Sequence, residues 1–577
     1  MSCASTAASL KQQYTVENSH ADSNYFALIK ELVRQRNAHP QGSDDFLAWQ
    51  HHIDEVYTLV ADELQHNQGK PCAAVKFGTS GWRGTIGKDL FVKSIALVTR
   101  AIVAMYEELD NGSPLSAALG VKSLAEARER GCVIGHDNRF GGDLLARTAT
   151  DVLTSHGFTV HFAGEATTGT LSAALLIHQA AFSINLTPSH NPMEYAGFKF
   201  NAADGGPAAS ELTNRITERA RQLIDQDRPL DLRPAPQLVK QMDALAAWVE
   251  LVRRGQSRHG LDYPQIMARF AEADNLVVAV DCVHGASRVH VRDLFRNMVS
   301  PRLLFLRDNA DPTFGGVAPE PSTANMRAVT DILKSRPEPL KLGIIMDPDA
   351  DRVRFTDGTT EIDMNTFGAM AYHFLHEVKG KRGLVAKTVA TSNFANRLAE
   401  AFGEEVFEPR VGFKEFKPVI DRALICFEES DGITAIGHTP EKDAYIGLLL
   451  AMDMALTLQK NLGDYRRELR ETYGYFYPDR DGVTVSQQGG ELTATLARLE
   501  KYAVGATVPV GGEEKQIAKV IDIDGRKMIL ADGSWLMVRP SGTEPKVRFY
   551  VEARTEAGKD GLFAAAKAML AEIGLLS

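Results

Sequence analysis

Five short apolar runs constrain this chain more than any other feature. Cys132–Ile134, Phe182–Leu186, Leu276–Val280, Leu342–Met346 and Ala423–Phe427 each end in a polar loop, and helix-length segments separate them. Runs this short and this apolar read as strands buried on both faces, so the expected fold class is α/β with largely buried sheets. In such folds ligands gather beyond the carboxyl ends of the strands, so the chemistry should lie in the loops that follow these runs. The length of 577 residues suggests three to five domains at roughly 100–200 residues each. Residues 1–70 are polar and helical in pattern, without strand signals, and are expected to form an extension. Prolines crowd Asp227–Pro236, and Tyr475–Asp481 separates a helical region from a strand-rich one. With breaks near 235, 355 and 475, the expected units are 71–235, 236–355, 356–475 and 476–577. The last is a small α+β module with strands at Met528–Leu530, Trp535–Val538 and Val547–Glu552 and a closing helix, Leu562–Ile573. Phe367, Met370, Ala371, Phe374 and Leu375 predict one helical face, capped by Asn365 or Thr366.

Charge and cysteine content exclude several functions. The formal net charge is −10 and the pI about 5.9, which argues against a broad nucleic-acid surface, so an anionic ligand must be held by local basic groups. The five cysteines, Cys3, Cys72, Cys132, Cys282 and Cys426, are widely spaced and odd in number, as expected of reduced thiols in a cytoplasmic protein. Met1–Lys11 has no basic segment leading into an apolar core, so no signal peptide is expected. The longest apolar stretch, Tyr445–Leu456, is too short to span a membrane and contains Asp453; it reads as a buried helix.

The loops carry the chemical signals. After the strand Leu342–Met346 come Asp347, Asp349 and Asp351, with Arg352 next. Three carboxylates at alternate positions repel one another unless a cation neutralises them, and hard oxygen ligands suit Mg²⁺. The glycine and distal glutamate of a calcium loop are absent. After Phe182–Leu186 comes Thr187-Pro188-Ser189-His190-Asn191-Pro192, a proline-bounded loop that can present one hydroxyl, which needs a base or a metal to act as nucleophile. No Gly-x-Ser-x-Gly elbow supports an esterase. Arg539-Pro540-Ser541-Gly542-Thr543-Glu544-Pro545-Lys546 combines a guanidinium, two hydroxyls and a glycine, the parts of a phosphate cradle. Glu428-Glu429-Ser430-Asp431-Gly432, after Ala423–Phe427, offers acceptors and a hydroxyl suited to sugar hydroxyls. Phe77-Gly78-Thr79-Ser80-Gly81-Trp82-Arg83-Gly84 is glycine-rich but lacks the lysine of a nucleotide-binding P-loop.

In their order along the chain, these five motifs resemble those of the α-D-phosphohexomutase superfamily, which includes phosphoglucomutase and phosphomannomutase. The resemblance runs from about residue 72 to the C-terminus and takes in Val133–Arg139 and Asp281–Gly285. It implies a four-domain phosphohexomutase architecture, three similar α/β domains plus a smaller α+β C-terminal domain around a central cleft, the fourth domain opening and closing on a hinge. It assigns Ser189 as the phosphorylated serine and a metal ligand, with Asp347, Asp349 and Asp351 completing a Mg²⁺ site. Arg352 would lie near the phosphate. Lys199, in Gly197-Phe198-Lys199, matches a lysine associated with proton transfer, and His190 and Arg83 match active-site positions, with Thr79 and Ser80 beside them. Glu428 and Ser430 would grip sugar hydroxyls. Lys414, in Gly412-Phe413-Lys414, would face the substrate, and Arg539, Ser541, Gly542 and Thr543 would bind the non-transferring phosphate.

The implied activity is phosphoglucomutase, an isomerase interconverting glucose 1-phosphate and glucose 6-phosphate, with glucose 1,6-bisphosphate as activator and intermediate. Phosphomannomutase or dual activity, phosphopentomutase and glucose 1,6-bisphosphate synthase would keep every motif. A sugar-phosphate sensor would need neither nucleophile nor metal, and an aspartyl-phosphate phosphatase would not need the serine and distal loops. The expected partner is a small sugar phosphate, with no nucleic acid and no membrane, in a monomer or small homo-oligomer. Three residues depart from the superfamily pattern. Pro188 replaces a small residue before the serine, Phe427 stands where Gly is common, and Asp431 where Gly or an aromatic is usual. The last two bear on sugar specificity.

Overall fold

The computed structural model describes residues 3–78, 81–541 and 546–576. Their strands form four sheets, one after another along the chain. The first contains β1 (Trp82–Thr85), β2 (Cys132–His136), β3 (Val160–Glu165), β4 (Phe182–Leu186), β5 (Tyr195–Ala202) and β6 (Val239–Gln241), in the order β1-β5-β4-β2-β3-β6. The second contains β7 (Leu276–Asp281), β8 (Leu303–Leu306), β9 (Leu340–Met346), β10 (Val353–Thr356) and β11 (Glu361–Ile362), ordered β11-β10-β9-β7-β8. The third contains β12 (Leu384–Lys387), β13 (Val406–Phe407), β14 (Ala423–Glu428) and β15 (Gly432–Ala435), ordered β13-β12-β14-β15.

These three sheets share one device. Each has parallel strands at its centre, and one of them turns straight back as an antiparallel neighbour: β4 into β5, β9 into β10 and β14 into β15. The returning turns hold the serine loop, the aspartate loop and the loop that follows Glu428. Each also contains one non-glycine residue with left-handed backbone: Ser189 (φ 58°), Ala350 (φ 49°) and Asp431 (φ 71°). Such conformations cost energy in an L-residue and persist only where the surroundings enforce them. The strands feeding the turns are apolar because both faces are covered: every residue of β4 and β14 is buried. The fourth sheet is antiparallel throughout. It contains β16 (Tyr477–Thr484), β17 (Thr507–Val510), β18 (Glu513–Ile521), β19 (Arg526–Leu530), β20 (Trp535–Pro540) and β21 (Lys546–Ala553), and the helix Gly558–Glu572 packs on it.

Some expectations shift. A break at 235 would cut off β6, which pairs with β3, because the proline-rich stretch is a connector returning to the first sheet's edge. A break at 355 would split β10, which with β11 completes the second sheet. The helix Met364–His373 is capped by Asp363, two residues before Asn365 and three before Thr366, since its carboxylate can reach Thr366 N (2.9 Å). The run Tyr445–Leu456 lies inside the helix Ala444–Leu458, buried on all sides through Leu456. No helix among the described residues is long and apolar enough to cross a membrane.

The N-terminal extension is three helices, α1 (Cys3–Tyr14), α2 (Tyr25–Arg36) and α3 (Asp44–His66), whose apolar faces join the core of the first domain. The fourth domain is docked on the third. Trp535, Met537 and Tyr550 pack against Val389 and Ala390, and buried Lys527 donates to Val389 O (2.8 Å) and Glu408 (3.0 Å). The Glu552 carboxylate accepts from Trp535 Nε1 (2.7 Å), Asn393 N (3.1 Å) and Ser392 Oγ.

Candidate active site

Ser189 sits at the tip of the β4–β5 turn, 1 % exposed. Its shape is set from beneath by Asp137 and Arg139, at the end of β2. Asp137 accepts from Thr187 Oγ1 (2.6 Å) and Arg139 Nε (3.2 Å), and Thr187 Oγ1 in turn accepts from Ser189 N (2.9 Å). The Arg139 guanidinium donates to four carbonyls of the turn: Ser189 (2.7 Å), Asn191 (2.5 Å), Pro192 (2.6 Å) and Tyr195 (3.1 Å). A buried, always-charged fork that satisfies four carbonyls fixes the loop far more firmly than its prolines could.

The aspartate loop meets this turn. Ser189 Oγ donates to Asp347 Oδ2 (2.6 Å) and lies 3.3 Å from both Asp351 Oδ1 and His190 Nδ1. Asp347, Asp349 and Asp351 are all buried, with oxygens within 4.8 Å of one another. Two carboxylates about 4 Å apart repel by about 4 kcal/mol at an effective dielectric near 20, so the loop needs strong support. It comes from two helix N-termini: Thr168 N donates to Asp349 O (2.8 Å) and Ala444 N to Ala350 O (2.9 Å). These begin the helices Thr168–His178 and Ala444–Leu458, whose positive ends face the acidic loop. Lys199 bridges Asp349 (2.5 Å) and Asp351 (2.9 Å), and Lys442 reaches Asp351 (3.1 Å). Residues from all three α/β domains therefore converge on one turn.

The two ammoniums do not balance the triad evenly. Burial works against Asp351, but Lys199, Lys442 and Arg352 outweigh it and hold its carboxyl well below the usual range. Burial, together with Asp351 and Asp349, pushes Asp347 well above it. Asp349 Oδ1 is buried with no protein partner. A divalent cation fits this set: hard oxygens, surplus negative charge and an orphaned carboxylate oxygen. Burial opposes the charge on Lys199, yet Asp349 and Asp351 raise its pKa overall, so it stands as a fixed cation. Burial, then Arg352 and Arg83, push His190 down, which leaves its imidazole neutral. Arg83 Nε and Arg352 Nε are buried and make no hydrogen bond to the protein, Arg352 Nε lying 3.8 Å from Asp351 Oδ1.

In the third domain Glu428 is buried and accepts from Gly412 N (2.9 Å); burial pushes its pKa up to about 7. Ser430 is half-buried in the same turn. Lys414 is not tied into the serine cluster, its ammonium donating instead to Ser210 Oγ of the first domain (2.7 Å). In the fourth domain Arg539 pairs with Asp524 (3.2 Å), its Nε buried without a partner, and Ser541 N donates to Lys546 O (2.8 Å) across the β20–β21 turn. Thr79, Ser80, Gly542 and Thr543 lie outside the described residues.

Comparison with known proteins covers most of the chain from residue 74 onward. Residues 74–227, 262–360 and 363–473 match phosphoglucomutase/phosphomannomutase alpha/beta/alpha domains I, II and III, and residues 493–568 match the C-terminal domain. The chain belongs to the phosphoglucomutase/phosphomannomutase family. It is a phosphohexomutase of the isomerase class, with the family's three similar domains and smaller fourth. A phosphoglucomutase/phosphomannomutase of Thermococcus kodakarensis is 28 % identical over 77 % of this chain and 90 % of its own. A phosphoglucosamine/phosphogalactosamine mutase of Sulfurisphaera tokodaii is 24 % identical over 83 % and 95 %. A crystal structure from Thermus thermophilus with a phosphomannomutase designation superposes with a TM-score of 0.69 at 26 % identity, covering 86 % of this chain and 99 % of that one.

Against this family background, the departures at Phe427 and Asp431 have structural reasons. Phe427 is fully buried, its ring against the space where Gly368 lacks a Cβ. Asp431 is buried and pairs with Arg354 of β10 (2.8 Å). Sequence reasoning missed Thr168, whose hydroxyl donates to Asp349 (2.7 Å), and Lys442. The signal for Lys442 was present in Pro440-Glu441-Lys442-Asp443, a polar turn running directly into an apolar helix. The sequence pattern of Val133–Arg139 assigns Arg139 no role, although its guanidinium grips the Ser189 turn.

Proposed function

We propose that the protein interconverts glucose 1-phosphate and glucose 6-phosphate through a phosphorylated Ser189 and a hexose 1,6-bisphosphate. The observation that carries this reading is the hydroxyl of Ser189, 2.6 Å from Asp347 and enclosed by three carboxylates and two ammoniums. Asp347, Asp349 and Asp351 would hold Mg²⁺, which when bound would neutralise and polarise phosphoryl oxygens. In the forward step the Ser189 Oγ–P bond breaks as a bond forms from phosphorus to the free sugar hydroxyl. The sugar hydroxyl gives up its proton as that bond forms, and the same proton is delivered to the departing Ser189 Oγ. Neutral His190 Nδ1, at 3.3 Å, is within reach to relay it, and Asp347 accepts the restored hydroxyl. Lys199, held as a cation, offsets charge on the transferred group, and Arg83 and Arg352 each offer its oxygens a buried Nε that makes no hydrogen bond within the protein. Glu428 and Ser430 would hold sugar hydroxyls, and Arg539 and Ser541 the other phosphate. The bisphosphate then turns over and returns its second phosphoryl group to Ser189.

The test is turnover of glucose 1-phosphate with Mg²⁺ and a trace of glucose 1,6-bisphosphate, alongside mannose 1-phosphate. Glucose turnover that stops with chelator and collapses by orders of magnitude in Ser189→Ala is expected. Full activity in that variant would end the phosphoserine mechanism. Faster turnover of mannose 1-phosphate would replace the glucose assignment.

A further inference from the structure

The helices ahead of residue 74 lie outside the matched family domains, yet they reach the far side of the catalytic turn. Arg139, which grips four carbonyls of the Ser189 turn, lies with its guanidinium over the Phe314 ring, 4.9 Å from its centroid. Phe314 belongs to a loop of the second domain with three successive left-handed residues: Phe314 (φ 52°), Gly315 (φ 66°) and Gly316 (φ 81°). The two glycines take this conformation freely, but at Phe314 it costs energy and persists only where neighbours impose it. Asp311 supplies part of that hold, accepting from Thr313 N (2.9 Å) and Gly315 N (3.1 Å).

The rest comes from the end of α2. Arg36, 4 % exposed, places one nitrogen between Asp311 Oδ2 (3.5 Å) and Thr313 Oγ1 (3.4 Å). Its other terminal nitrogen is anchored on Gln50 of α3 (2.7 Å). Asn37 Nδ2 donates to Gly315 O (2.8 Å). The same helices also hold the first domain beside the turn: Lys30 pairs with Glu194 (2.6 Å), and the Tyr57 ring stacks 4.3 Å from that of Phe140, the residue after Arg139. A continuous set of contacts thus runs from α2 through Asp311–Gly316 and Arg139 to Ser189.

We propose that the N-terminal helices are a brace for the catalytic turn, with Arg36 and Asn37 as positioning residues that act on Ser189 through Phe314 and Arg139. Neither touches the reacting atoms. Their effect is to hold a strained loop, and a displacement of about 1 Å at a reacting centre can cost about 100-fold in rate.

The test combines hydrogen–deuterium exchange with steady-state kinetics on the full chain carrying Asn37→Ala, Arg36→Ala or Arg36→Lys. The exposed Arg34, paired with Glu31, serves as control through Arg34→Ala. The brace predicts faster exchange at 187–195 and 311–317 in both alanine variants, with 507–530 unchanged. It predicts kcat lower by about 10- to 100-fold, KM within about twofold, and partial recovery in Arg36→Lys. Unchanged exchange at 187–195 in Asn37→Ala overturns the proposal, as does an equal effect in Arg34→Ala. Asn37 is exposed, so its variant decides the matter even if Arg36→Ala does not fold. The exchange readout needs no turnover, so a failure of the mutase assignment is distinguishable from a failure of the brace.

Discussion

Replacing Arg354 with Met should damage both stability and sugar binding, by an amount that follows from its surroundings. Arg354 lies on β10, two residues beyond the aspartate loop's Arg352, and its guanidinium meets Asp431 at 2.8 and 3.3 Å and Glu361 at 2.9 Å. The Asp431 side chain is 4 % exposed and that of Arg354 16 %. Removing one partner of a buried pair costs about 3–5 kcal/mol because a charge is left without compensation; partial solvent access on the arginine side favours the lower end. At roughly 2–4 °C per kcal/mol for a cooperative unit of 150–250 residues, melting should fall by about 6–12 °C. Adding Asp431→Asn should recover most of that loss, because the stranded charge is removed and Asn tolerates the left-handed backbone at φ 71°. Since Asp431 O also accepts from Val353 N (2.8 Å), the pair sets the sugar turn against the aspartate loop. The single variant should therefore lose about 10- to 100-fold in kcat/KM. The assay is a double-variant cycle read by thermal melting and by kinetics. A double variant no more stable than Arg354→Met would refute the reasoning.

Other outcomes follow from the same geometry. With its pKa near 7 in the ligand-free protein, Glu428 gains protons as pH falls below that value and loses its capacity as an acceptor. The pH profile of kcat/KM should therefore drop on the acid side, and Glu428→Gln should lack that limb while the substrate's own titration persists. Cys132, Cys282 and Cys426 are buried, and burial pushes their thiols up. Iodoacetamide should therefore modify exposed Cys72 in the native protein and reach those three only after unfolding. Trp535→Phe removes a donor from buried Glu552, at a cost of about 1–3 kcal/mol, and should raise hydrogen exchange in 546–553 and 389–394 together.

What could be read from the sequence divides along physical lines. The aspartate loop was legible because three carboxylates at alternate positions after an apolar strand have few stable explanations. The strands feeding the three turns were legible because burial on both faces forces an unbroken apolar run. Ser189 was weak alone and gained meaning only from its order among the other motifs. Thr168 and Arg139 escaped notice because their partners lie far along the chain, Asp349 for one and the Ser189 turn for the other, while Lys442 sat in a polar turn whose partner, Asp351, belongs to another domain. Phe427 and Asp431 were expected to bear on the sugar. A sequence does not reveal which way a turn residue faces, and both point elsewhere, one into the core and one toward Arg354. The break near 235 missed because β6 returns to a sheet the chain had already left, and the break near 355 because β10 and β11 continue the second sheet directly after β9. The N-terminal helices were visible as helices, but their contacts with Asp311 and Gly315 arise only in the folded chain.

The central claim is that Ser189 carries the phosphoryl group. Incubating the dephosphorylated protein with Mg²⁺ and glucose 1,6-bisphosphate, then mapping peptides by mass spectrometry, tests it most directly. One phosphoryl group on the peptide containing Ser189, removed again by glucose 6-phosphate in step with bisphosphate formation, is the predicted result. Steady mutase turnover with that peptide never phosphorylated, or with the phosphoryl group on another residue, would contradict it.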